Sequence, residues 1–188
     1  MGGDHSITYP ILQSYREKDN IGILQLDAHL DFKDHNYGLK YTNSSPMKRV
    51  SELNNVKQIT SIGIRGIRTS EVDLKDALSN NVHIITAKQA KQEKASSVID
   101  NINFHKKTYI TIDIDVLDPS IAPGTGSPEP GGLSFLELMS ILEIVPKKTE
   151  IIGFDLVEVN PQLDTANITS LIGCNIIIEL LGFIFENK

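Results

Sequence analysis

The sequence predicts a three-layer α/β/α fold built on a doubly wound, mainly parallel sheet. Three observations carry this. Short apolar runs of strand length recur along the chain, and several are nearly continuous rather than alternating, as strands covered on both faces are. Helically patterned segments separate them, which is the order of β–α–β units. Two of the runs end directly in carboxylate clusters, and open α/β sheets hold their ligands at the carboxyl ends of their strands.

The elements follow in order. Gly2-Gly3-Asp4-His5-Ser6 reads as a turn from a strand into a helix over residues 6–18. The strand that should feed this turn is absent, so the chain is expected to be truncated and to lack its N-terminal strands. Strands are expected over residues 21–26, 58–64, 82–86, 108–113 and 150–156, and further helices over 46–53, 70–79, 87–101, 134–145 and 166–186. The 87–101 segment is polar and Lys-rich, hence an outer helix. Ser134 with Glu137 three residues on is an N-cap pattern. The apolar run 168–185 raises the question of a membrane span. It contains Asn175 and Glu179 and lies at the lower edge of spanning length, so a buried or half-buried helix is expected instead.

A chain of 188 residues, 40% hydrophobic and 22% charged, is expected to form one globular domain over 1–188. Its net charge of −6 argues against nucleic acid or an anionic membrane as partner and suits a cationic small molecule. The single cysteine, Cys174, excludes an internal disulfide and a thiolate-rich zinc site; its apolar surroundings predict an inert buried thiol. The first residues carry no secretory pattern, so the cytoplasm is the expected location.

The chemistry concentrates in Asp27-Ala28-His29-Leu30-Asp31, directly after the first apolar run. Residues two apart project to one side of an extended chain, so the three polar side chains can converge. Asp113-Ile114-Asp115 repeats the arrangement, and its apolar neighbours make two carboxylates costly unless a cation neutralises them. With His5, the set holds two imidazoles and four carboxylates. That is more than one cation needs, and it suits two divalent ions sharing bridging oxygens. The Gly- and Pro-rich segment from Ile121 to Gly132 should be a rigid loop walling the same cleft; it lacks the spacing of a nucleotide-binding loop. Glu158 lies at another strand end, where a carboxylate can receive a planar guanidinium.

These residues together resemble the ureohydrolase family of arginases and agmatinases. Gly2-Gly3-Asp4-His5-Ser6, Asp27-Ala28-His29-Leu30-Asp31 and Asp113-Ile114-Asp115-Val116-Leu117-Asp118-Pro119 are similar to the family's three metal motifs, in the family's order. The wording from Ala122 to Gly132 looks closer to agmatinase than to arginase. The resemblance implies two Mn²⁺ ions per chain, with His5 and Asp31 on one, His29 and Asp115 on the other, and Asp27 and Asp113 bridging. It implies hydrolysis of a guanidino substrate to urea and an amine, with Glu158 holding the guanidinium, and a homo-oligomer. Agmatine is the first expected substrate, ahead of arginine, guanidinobutyrate, guanidine and formimidoylglutamate. One departure stands out: Asn43 occupies the place of a family histidine that relays protons to the leaving amine. An amide cannot act as a general acid at neutral pH. A metal-binding subunit with impaired catalysis is therefore the second reading.

Overall fold

A computed structural model describes residues 3–15 and 19–187. Gly2 of the opening motif and residues 16–18 of the expected first helix lie outside them. Five strands form one parallel sheet: β1 (Ile21–Leu26), β2 (Val56–Ile64), β3 (His83–Thr86), β4 (Lys107–Asp113) and β5 (Glu150–Val157), in the order β3-β2-β1-β4-β5. The helices are α1 (Thr8–Gln13), entered through a 3₁₀ turn at His5–Ile7, α2 (Pro46–Ser51), α3 (Glu71–Ser79), α4 (Ala87–Gln92), α5 (Ala95–Asp100), α6 (Phe135–Ile144) and α7 (Ile168–Glu186).

Alternate side chains of the central strands feed two cores. Ile21 and Ile23 pack with Leu12, Met47, Val50 and Ala77 beneath α1, α2 and α3. Leu24 and Leu26 face the other way, toward Val98, Ile99, Leu138, Leu142, Ile176 and Leu180 of α5, α6 and α7. All six residues of β1 are buried, which accounts for an apolar run interrupted by Gln25 alone. Strand order reverses between β1 and β4, and such a switch point opens a crevice at the carboxyl ends of the strands.

Local signals hold the helices in register. Ser134 accepts the Glu137 N–H at 3.2 Å, and Glu137 accepts the Ser134 N–H at 2.7 Å, the reciprocal cap expected for α6. Two expectations are corrected. The helix over 87–101 is broken into α4 and α5, because Glu93 adopts an extended backbone (φ −104°, ψ 158°). Cys174 is exposed, because α7 is covered along one side only, by way of Thr169, Gly173, Ile176 and Leu180. By length and composition alone, the helical segment from Thr165 to Glu186 could cross a membrane, and it is the only such segment among the described residues.

Candidate metal centre

Register sets the site. Leu26 of β1 pairs with Ile112 of β4, so the next residues, Asp27 and Asp113, leave the sheet side by side. The 3₁₀ turn His5–Ile7 lays His5 over the same edge, where it is fully buried. His5, Asp27 and Asp113 form one cluster able to hold a cation; Asp27, His29 and Asp115 form a second. Asp27 belongs to both. Asp31 completes the first: its carboxylate lies 3.0 Å from His5 Nδ1, beside those of Asp27 at 3.2 Å and Asp113 at 3.4 Å. Despite these neighbours, His5 Nδ1 makes no hydrogen bond. A buried imidazole nitrogen aimed among three carboxylate oxygens fits a divalent cation of the hard-to-borderline kind. In the second cluster His29 Nδ1 is 3.0 Å from Asp115 and 3.6 Å from Asp27.

Buried polar groups behind the clusters orient them. His5 Nε2 lies 2.9 Å from Thr111 Oγ1. The Thr111 hydroxyl spends its only hydrogen on Asp155 Oδ1 at 2.6 Å, and Thr8 spends its own on Asp155 Oδ2 at 2.9 Å. Thr111 must therefore accept from His5 Nε2–H, which leaves Nδ1 as the ligating atom. Tyr109 donates a third bond to Asp155, at 2.9 Å. Gln25 donates to Asp27 Oδ2 at 2.8 Å and to the His29 carbonyl at 3.1 Å, and is itself held by Ser61 at 2.6 Å. Glu129 lies 3.5 Å from His29 Nε2. None of Thr111, Asp155, Gln25 and Glu129 was anticipated from the sequence. Gln25 and Thr111 carried a signal, each being a polar residue inside a buried strand.

The electrostatics express crowding without a cation. Burial would lower the pKa of His5, but Asp113, Asp27 and Asp31 overrule it and hold it well above its ordinary value. Burial likewise opposes charge on His29, but Asp115 and Asp27 raise it to about 11. Burial and then the charge of Asp27 push Asp31 up to about 7. Burial and the neighbouring carboxylates raise Asp113 and Asp115 too. Asp27 alone falls below the usual carboxylate range: burial works against it, and the two imidazoles prevail. Two cations would relieve this repulsion directly.

The rest of the cleft is built on strained and pinned backbone. Asp31 (φ 49°) and Glu158 (φ 65°) both adopt left-handed conformations, the kind of local strain that clusters at functional sites. Glu158 accepts the His5 N–H at 2.8 Å, and Asn43 lines the cleft beside it. Burial raises its pKa. Gly63 (φ 103°) lets β2 crowd the Asp27 carbonyl, which a Cβ there would meet at 2.8 Å. The 121–132 loop is ordered, as expected. Asp118 accepts the N–H groups of Gly131 (2.8 Å) and Gly132 (3.1 Å), and its pKa is lowered to about 2 by bonds from Ser120 and these amides. Arg65 pins the same loop from below. Its guanidinium donates to six backbone carbonyls, those of Gly63, Asp115, Val116, Leu117, Glu129 and Pro130.

Known proteins are similar to this chain in sequence and fold. The family model for the arginase family matches residues 1–182. A guanidinobutyrase of Pseudomonas aeruginosa is 33% identical over 187 residues, covering 96% of this chain and 58% of that protein. A mitochondrial agmatinase of Gallus gallus is 35% identical, with 96% and 55% covered. The chain thus spans a little over half the length of these relatives. The crystallised proclavaminate amidino hydrolase of Streptomyces clavuligerus superposes with a TM-score of 0.85 at 32% identity, covering all of this chain and 64% of that one. A match of this extent, on a sheet whose switch point gathers these carboxylates and imidazoles, makes the chain a member of the arginase family.

Proposed function

We propose that this chain carries the active site of a binuclear metal hydrolase that cleaves a C–N bond of a linear guanidino compound, with water giving urea and an amine. The observation that carries it is Asp27, shared by two buried clusters that each hold a histidine. His5, Asp31 and Asp113 would hold one ion with Asp27, and His29 and Asp115 the other. The donor set suits Mn²⁺. When bound, the pair would lower the pKa of water to near neutrality and polarise the substrate.

The chain's own residues do the rest. Glu158, fixed by the His5 amide, offers a carboxylate to the guanidinium in a fork geometry. The strained backbone at Asp31 and Glu158 aims both carboxylates into the cleft lined by His29, Asn43, Asp113 and Asp115. Agmatine is the substrate suggested by the motif wording, while the names of the two relatives point to different substrates and support only the class. Exposed Leu171, Ile178 and Phe185 on α7 support a homo-oligomer; a cytoplasmic location belongs to the same proposal.

The test is metal stoichiometry together with urea release from agmatine, 4-guanidinobutyrate and arginine by Mn²⁺-loaded protein. We expect two ions per chain, urea from at least one substrate, and loss of both in Asp27→Ala. One ion per chain would overturn the binuclear reading. Two ions and no urea would favour the metal-binding subunit, which Asn43 in the relay position supports.

A further inference from the structure

The inner cleft is acidic, but its outer wall is not. Lys33, on the segment leaving β1, and Arg68, on the loop after β2, line the same cleft as His29, Asn43 and Glu158. Neither forms an ion pair among the described residues, whereas Lys48 is paired with Asp76 at 2.6 Å and Arg49 with Asp34 and Glu52. Among the described residues Arg68 donates to one side chain and it is neutral, the Ser127 hydroxyl at 2.9 Å from Nη1, so most of its N–H fork is uncommitted. Asp73 is the acidic residue of the outer wall, and its carboxylate already accepts the Ser70 N–H at 3.2 Å in the cap of α3. Two cations against one engaged carboxylate leave the outer wall positive.

A linear substrate with its guanidinium at Glu158 turns its far end toward this wall. A distal ammonium would meet like charge. A distal carboxylate would meet a guanidinium fork shaped to receive it in two parallel bonds, with an ammonium beside it. We propose that the site selects an ω-guanidino acid over a guanidino amine, and that Arg68 is the residue that reads the carboxylate, with Lys33 supporting it. This rests on the guanidino-hydrolase reading of the inner site, and it replaces agmatine as the first substrate.

The test compares 4-guanidinobutyrate with agmatine, which share the guanidino head and differ in the charge of the far end. Urea release by the Mn²⁺-loaded chain is measured alongside calorimetric binding of each compound. We expect kcat/KM to favour the acid at least tenfold. Arg68→Met should reduce that preference at least tenfold, chiefly by raising KM for the acid, and Arg68→Lys should fall between, since it keeps the charge and loses the fork. A preference for agmatine, or a preference unmoved by Arg68→Met, overturns the assignment and leaves the hydrolase reading standing. If neither compound yields urea, binding decides: Arg68-dependent binding of the acid upholds the charge selection while the hydrolase reading fails, and binding of neither overturns both.

Discussion

Thr111→Val isolates the link between the buried Asp155 and the ligating edge of His5. Valine matches threonine in shape and removes only the hydroxyl. The change breaks the contact at 2.9 Å with His5 Nε2 and the bond at 2.6 Å to Asp155, with His5 wholly buried and Asp155 nearly so. The stranded His5 Nε2–H costs about 1–3 kcal/mol and Asp155, which keeps its bonds from Thr8 and Tyr109, loses one bond worth about 1 kcal/mol, so the folded state should lose about 2–4 kcal/mol. For a chain of this size that is a fall of about 6–12 °C in Tm. With Nε2–H no longer held, Nδ1 loses its fixed role, and Mn²⁺ affinity should weaken about 10–100-fold, as for other partners that orient metal-binding histidines. Thermal unfolding of the metal-free protein reads the first effect and calorimetric titration with Mn²⁺ the second, with Thr111→Ser as the hydroxyl-bearing control. Weaker folding with Mn²⁺ affinity within twofold of wild type would show that the hydroxyl supports the fold without setting the imidazole. An unchanged Tm would refute the hydrogen-bond argument itself.

Three further expectations follow from the same geometry. A Cβ at Gly66 would lie 2.5 Å from His29 Cδ2, so Gly66→Ala should displace the ring, destabilise the fold by about 1–3 kcal/mol, and reduce bound Mn²⁺ from two ions toward one by elemental analysis. Without metal, Asp31 holds its proton up to about pH 7 and His29 up to about pH 11, and both must release it to ligate. Mn²⁺ affinity should therefore rise with pH, by about two to three orders of magnitude between pH 6 and 8, and a flat calorimetric profile would contradict the crowding described for the site. In the metal-free chain Asp31 acts on folding in the opposite direction: the folded state retains a proton that the unfolded chain has lost above its ordinary carboxylate range, so stability falls as pH rises toward 7. Asn43→His should raise urea release and add a limb near the ordinary histidine pKa, about 6.5, to the pH–rate profile; an unchanged rate would remove Asn43 from the account of turnover.

The layout of the sheet was legible because its central strand β1 is buried on both faces and its neighbours are largely apolar, so the strands appear as nearly continuous apolar runs. The metal motifs at the ends of β1 and β4 were legible because each groups its ligands two residues apart, where spacing within the motif maps onto spacing in the fold. What was missed lies one layer behind. Thr111 and Asp155 meet only because β4 and β5 are paired, with Thr111 opposite Asp155 in the register. Spacing within either strand does not encode that meeting. Glu129 reaches His29 only because Arg65 and Asp118 fold the loop back. The break at Glu93 was hidden by good helix formers on both sides, and the exposure of Cys174 by an apolar composition that continues around both faces of α7.

Arg65 has a consequence for how this site can change. It grips the 121–132 loop by main-chain oxygens, which every residue type supplies. Those bonds do not depend on the loop's side chains, so a position such as Ser127, whose hydroxyl meets Arg68 instead, can be exchanged without loosening Arg65's hold on the loop. Substrate choice can drift at those positions while the frame around the ligands stays fixed, because one cation, Arg65, holds that frame without specifying the side chains it carries.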